Sequence, residues 1–241
     1  MRFLPLLLLS TLLALLSCTS SKEAPNQLSK AESDAGWNLL FDGNSLQGWH
    51  LYNKGNIDSK WTVSNGELVC DPKKKEGIFG DLVTDSTYHD FDLALEWKVA
   101  KGGNSGIFLN VQEDSSFAAT FATGLEMQLL DNEHAEHRHQ IDSTHWAGCL
   151  YAVACNGENS KPKPFNTWNK SRIVQKDGKV SFWLNDVLTF EADVQSEAFQ
   201  EGIQRSGMKA YPNFGKYASG RIALQNHTDS VAFRNIKIKR L

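Results

Sequence analysis

The sequence predicts an all-β protein, a two-sheet sandwich of jelly-roll type, and three observations carry that prediction. Runs of alternating or wholly apolar residues at strand length recur from Gly36 to Leu241, separated by turn signals. Three of those signals, Asn65-Gly66, Asp177-Gly178 and Asn185-Asp186, are residue pairs suited to the two-residue turns of antiparallel hairpins. Amphipathic helical periodicity is nearly absent; only VQSEAFQEGIQRSGMK (194–209) has the pattern of one short helix. Many strands with few helices to cover them must cover one another, which means two stacked sheets.

In chain order, WTVSNGELVC (61–70) is the first hairpin. FDLALEWKVA (91–100) sets Phe91, Leu93, Leu95 and Trp97 on one face and Glu96 on the other. SGIFLNVQ (105–112) opposes Ile107, Leu109 and Val111 to Asn110 and Gln112. GLEMQLLD (124–131) opposes Leu125, Met127 and Leu129 to Glu126 and Gln128. SRIVQKDGKVSFWLNDVLTFEA (171–192) is a three-strand meander. GRIALQNH (220–227) puts Gln225 and His227 on one face, and SVAFRNIKIKRL (230–241) closes the chain as another alternating strand. A single domain over 36–241 follows, with one polar sheet face expected to carry Glu96, Asn110, Glu126, Gln128, Gln225 and His227. Acids and amides of this kind line clefts more often than plain solvated strands do.

The first 17 residues, an apolar run behind Arg2, have signal-peptide anatomy and are short for a membrane span. LLSC (15–18) resembles the bacterial lipoprotein box, so Cys18 is expected to be lipidated and to anchor the protein to a bacterial membrane, facing periplasm or exterior. An ordinary secretory signal is the alternative. Residues 18–35 are small and polar and read as a flexible tether. Of the remaining cysteines, Cys149 and Cys155 are close enough to bridge if the chain turns between them, and small buried thiols are the equal alternative. The net charge of −3, without a long basic run, argues against nucleic acid as a partner.

The motifs NLLFDGNSLQGWHL (38–51), NSGIFLN (104–110), LEMQLLDN (125–132) and GRIALQNHTDSVAFRNIKIKRL (220–241), in this order, resemble the 3-keto-disaccharide hydrolase family. The resemblance implies a concanavalin-like jelly roll that cleaves glycosides whose C3 hydroxyl a separate glycoside 3-dehydrogenase has first oxidised. A C3 ketone acidifies the C2 proton; a base removes it, the enolate expels the C1 substituent, and water adds back. That chemistry asks for a base, a donor to the enolate oxygen and an acid for the leaving group. Glu126 or His227 is the candidate base, and Asn104, Gln128 or Gln225 the donor. Asp131 or Glu96 is the candidate acid, if burial raises its pKa. Asn110 belongs to the same substrate-binding face, and Trp146 and Trp168 are candidate stacking platforms for sugar at the sandwich rim.

Other readings stand beside this one. Glu126 could instead form an ion pair with Arg221 or Arg234 that holds the structure together. The Glu126–Asp131 spacing resembles the acidic strand of laminarinase-type hydrolases acting on unoxidised glucans, although a plain strand would put the two carboxylates on opposite faces. A non-catalytic, lectin-like sugar-binding module uses the same architecture. No cofactor is assigned from these residues, and a divalent metal is possible: His134, His137, His139 and His145 beside Asp131 offer donors that such an ion could use.

Overall fold

A computed structural model describes residues 24–241; the expected leader and Cys18 lie outside the described residues. The strands are β1 (Trp37–Leu39), β2 (Trp49–Leu51), β3 (Trp61–Ser64), β4 (Glu67–Cys70), β5 (Leu82–Thr84), β6 (Phe91–Val99), β7 (Asn104–Val111), β8 (Leu125–Leu130), β9 (Asn169–Lys176), β10 (Lys179–Leu184), β11 (Val187–Asp193), β12 (Arg221–Leu224) and β13 (Val231–Arg240). Short helices α1 (Lys30–Asp34), α2 (His137–Gln140) and α3 (Glu197–Arg205) complete the set. The larger sheet runs β11-β10-β9-β6-β13-β4-β3, with β1 paired to the C-terminal half of β13. The smaller runs β2-β5-β12-β7-β8, and the pairings in both are antiparallel. This is the expected all-β jelly roll.

The three hairpin turns form as their residues dictate. Asn65-Gly66, Asp177-Gly178 and Asn185-Asp186 all have positive φ at both central positions, the twist that matches flanking antiparallel strands. Between the sheets, Leu93, Leu95 and Trp97 of β6 join Ile107 and Leu109 of β7 and Leu125, Met127 and Leu129 of β8 in one buried cluster. Each such side chain contributes about 1.5–3 kcal/mol through burial. The Trp97 indole N–H, enclosed there, donates to Ser171 Oγ at 2.9 Å.

The smaller sheet is buried on both faces, so all six residues of β8 and all eight of β7 are buried where alternation alone predicts half. On its outer face Tyr52, Val83, Phe108, Val111 and Ala223 form a second apolar cluster, capped by Phe121 from the 112–124 connection. The edge of β8 is covered too. Gln128 N–H donates to Cys149 O (3.0 Å), Gly148 N–H to Gln128 O (2.8 Å) and Tyr151 N–H to Glu126 O (3.0 Å). Segment 148–151 thus pairs with an otherwise open sheet edge. A Cys149–Cys155 disulfide, Cα atoms 4.7 Å apart, closes the turn after it, while Cys70 is a free buried thiol.

Three expectations are corrected here. Residues 24–35 are not a flexible tether: Asn26 exchanges bonds with Asn235 (2.6 and 2.8 Å) and donates to Gly66 O (2.8 Å). Helix α1 is closed by a Ser29–Glu32 capping box, and Glu32 pairs with Lys237. Glu96 does not share a face with Glu126. It lies on the larger sheet, paired with Arg234 (2.6 Å), because alternation fixes a strand's face but not its sheet. Asn110 also leaves the expected face. It takes a positive φ of 60° where the β7–β12 register slips, and its amide donates to Gln175 on β9 at 2.8 Å.

Candidate active site

The outer face of the smaller sheet holds a pocket of about 240 Å³. Its floor comes from β7, β8 and the end of β12, which present Asn104, Glu126, Gln128, Gln225 and His227. Glu126, Gln128, Gln225 and His227 were expected together from alternation, Asn104 was a separate candidate donor, and the structure brings all five together. The walls were not foreseen: Phe121 precedes β8, Arg138 and His139 stand on α2, Tyr151 follows the strand-like edge segment, and Met208 and Tyr211 come after α3.

Glu126 is the centre of the site. It is 6 % exposed and has no cationic partner among the described residues; Arg221 is engaged with Glu113 (2.8 Å) and Arg234 with Glu96. The ion-pair reading of Glu126 therefore does not hold. Burial, with a smaller contribution from the Asp81 carboxylate, raises its pKa well above the ordinary 4.5. Asp81 is held on β5's approach by the Thr120 hydroxyl (2.5 Å) and Asn226 N–H (2.8 Å), and its own pKa is raised by burial.

The room for Glu126 comes from Gly106, which lies beside it on β7. A Cβ at Gly106 would stand 2.2 Å from Glu126 Oε1. With its nitrogen turned toward acceptors, the Gln128 amide donates to Ser105 O (3.1 Å) and to Glu126 Oε1 (3.2 Å). Its oxygen then faces Asn104 at 3.3 Å, and the Asn104 amide lies 3.4 Å from His139 Nε2. One polar chain thus runs from Glu126 to His139.

His139 is buried and its pKa falls to about 4, chiefly from burial and then from neighbouring Arg138 and His145, so it is a neutral imidazole at pH 7. Its Nδ1 has no partner within the protein, and neither has Gln225 Oε1. Tyr151 stacks on His145 (centroids 4.7 Å, planes 18° apart), and His145 meets His139 edge-on at 5.1 Å. Burial, then the charge of Glu126, pushes the Tyr151 hydroxyl up, so it is a neutral phenol.

Several sequence candidates fall outside the pocket. Asp131 follows β8 as the chain leaves the sheet; its carboxylate accepts Gly102 N–H (2.9 Å) and pairs with His134 Nδ1 (3.0 Å). Trp146 donates its indole N–H to His139 O (3.1 Å) and Gln140 O (3.2 Å), pinning α2 rather than offering a sugar platform. Trp168 belongs to the larger sheet's surroundings, its ring covered by Arg234 (4.1 Å) and Lys98 (4.4 Å). The histidine-rich stretch does not assemble as ligands: among the described residues no three His, Cys, Asp or Glu side chains gather in a metal-binding group. His139 and His145 instead make the wall that positions Tyr151.

Comparison with known proteins agrees with this fold. A curated 3-keto-disaccharide hydrolase from Bacteroides thetaiotaomicron is 29 % identical over 228 residues, covering 85 % of this chain and 78 % of that protein. A crystal structure of a candidate glycosyl hydrolase from Parabacteroides distasonis superimposes with a TM-score of 0.81 at 31 % identity, covering 90 % of this chain and all of that one. A second Parabacteroides distasonis structure, TM-score 0.63 and 24 % identity over 85 % of this chain and 99 % of its own, shares the fold. These relatives support a glycoside-cleaving role. Residues 36–239 match the model of the 3-keto-alpha-glucoside-1,2-lyase-like domain, and the chain belongs to that family.

Proposed function

We propose that this protein cleaves 3-keto-glycosides by removing the C2 proton, expelling the C1 substituent and adding water to the resulting double bond. The observation that carries the reading is the single carboxyl of the pocket. Among its described lining residues Glu126 is the one carboxylic acid, and Asp131 points elsewhere. Cleavage of an ordinary glycoside generally needs two carboxyl groups flanking the bond, about 5–10 Å apart. That requirement removes the support for the laminarinase-like alternative. One carboxyl of raised pKa beside neutral donors suits abstraction of a proton next to a ketone.

The roles follow from relative basicity. His139, with a pKa near 4, is a weak base. Glu126, raised by burial, is the stronger one whenever ionised, and it takes the C2 proton. The C2–H electron pair forms the enolate, and collapse of the enolate breaks the C1–O bond. The Tyr151 hydroxyl gives its proton to the departing oxygen, and the double bond then takes up water, hydroxyl at C1 and proton at C2. Asn104, Gln225 and His227, which line the pocket, bind the ketone and ring hydroxyls. A pocket of 240 Å³ is smaller than the roughly 300–1,000 Å³ of drug-sized sites and accommodates about one sugar ring. The ketone itself comes from a separate oxidising enzyme acting upstream.

The test uses a 3-keto-glucoside and its unoxidised parent in deuterium oxide. Turnover of the ketone alone, with deuterium appearing at C2 of the product, is the expected result. Comparable turnover of the unoxidised glycoside would overturn the reading, and binding without turnover of either would favour a lectin-like module.

A further inference from the structure

Beside the pocket lies a second depression of about 580 Å³, and the two share Phe121 and Tyr211 in their linings. Those rings meet edge-to-face, centroids 5.1 Å apart. Beyond them the groove is walled by Phe117, Ala118, Ala119, Ala122 and Pro212, with Ser116 and Asn213 as its two polar members and no charged side chain among its described lining residues. Phe117 is itself set edge-on to Tyr217 at 6.4 Å. The chemistry of the two spaces differs: amides, imidazoles and a carboxyl on the pocket floor, and mostly methyl groups and aromatic faces in the groove.

Resting on the function proposed above, we propose that this groove receives the leaving group of the glycoside and selects an aromatic or otherwise apolar aglycone over a second sugar. The sugar ring that reacts occupies the pocket, so whatever is attached to its C1 must leave past the pocket wall, and the Phe121–Tyr211 pair is where the neighbouring space begins. A second sugar placed there could stack on the rings. Ser116 and Asn213 could pair with only part of its hydroxyls; the others would exchange water for alanine methyls and a proline ring, and each polar group buried without a partner costs binding. A planar apolar group loses nothing in that exchange and gains contact with the exposed Tyr211 and half-buried Phe121.

The experiment compares three 3-keto-glucosides, prepared in both anomeric forms: methyl, 2-phenylethyl and glucosyl. Methanol and 2-phenylethanol are leaving groups of similar acidity, so a difference between them reports the groove rather than the chemistry. In the wild type, kcat/KM for the 2-phenylethyl substrate is expected to exceed that for methyl by about ten- to a hundred-fold, mostly through KM, as burial of a phenyl ring implies. It should also exceed that for the glucosyl substrate. Ala118→Glu, at an exposed position, puts a charge into the groove. It should bring the phenylethyl-to-methyl ratio to within about threefold, chiefly by raising KM for the phenylethyl substrate. Equal kcat/KM for the two alkyl substrates, a ratio untouched by Ala118→Glu, or a preference for the glucosyl substrate would overturn the assignment while leaving the 3-keto reading intact. No turnover of any of the three would remove the 3-keto reading, and the groove's role with it.

Discussion

Replacing Glu126 by Gln separates the chemistry of the site from its architecture. The substitution keeps the shape of the side chain and an oxygen for Gln128 to donate to, and removes the group that takes a proton. Loss of a positioned general base typically costs about 10²–10⁴ in rate, equivalent to about 3–5 kcal/mol of transition-state stabilisation. The fall should appear in kcat, with KM for a 3-keto-glucoside changing little, and exchange of the C2 proton with deuterium oxide should fall in parallel. Stability should move the other way. Because the folded pKa of Glu126 lies above the unfolded value near 4.5, the native state holds the extra proton in that interval. Wild-type stability therefore declines as pH rises from about 4.5 through the folded pKa. Glutamine does not titrate, so the variant should lack that decline and melt at or above the wild-type temperature at pH 8. Melting curves across pH 5 to 9 and single-turnover rates measure the two halves. A variant with more than a tenth of wild-type kcat, or one that melts below wild type at pH 8, would refute the assignment of Glu126 as a buried base.

Four further outcomes are expected. Tyr151→Phe should lower kcat on poor leaving groups by roughly 10²-fold or more and act less on good ones, as loss of a general acid does; a uniform effect across leaving groups would count against that role. Gly106→Ala should displace the Glu126 carboxyl, lowering kcat steeply while costing about 1–3 kcal/mol in stability by chemical denaturation; wild-type kcat would show that the carboxyl can move without loss. Cys149→Ser with Cys155→Ser should cost about 2 kcal/mol of stability, from the six-residue separation of the bridge, and lower kcat by loosening Tyr151. Mass spectrometry of the membrane fraction should find Cys18 as a lipid-modified N-terminus; a soluble protein starting at Thr19 or later in intact cells would remove the proposed anchor.

The fold was legible in the sequence because its strongest signals are local. Asn-Gly and Asp-Gly turns and period-two alternation are properties of neighbouring residues, and they specify hairpins wherever those hairpins end up. The Ser29–Glu32 capping box was equally local and contradicts a flexible tether, yet it sits within a polar segment whose composition dominates the reading. Alternation also set Glu126 and Gln128 on one side of β8 and Gln225 and His227 together, and all four line the pocket. What only the tertiary structure decided is which faces meet. Glu96 alternates as correctly as Glu126 but belongs to the other sheet, and the positive φ at Asn110 turns its side chain toward Gln175. His139 and Tyr151 are separated from Glu126 by a stretch without strand periodicity, and Tyr211 lies beyond the three-strand meander and α3. Tyr151 is brought to Glu126 by backbone bonds from segment 148–151 to the β8 edge, with the disulfide closing the turn beyond it. The raised pKa of Glu126 is a tertiary property for the same reason: burial under those loops, with no cation supplied, displaces the proton equilibrium, and no residue next to Glu126 in the chain encodes it.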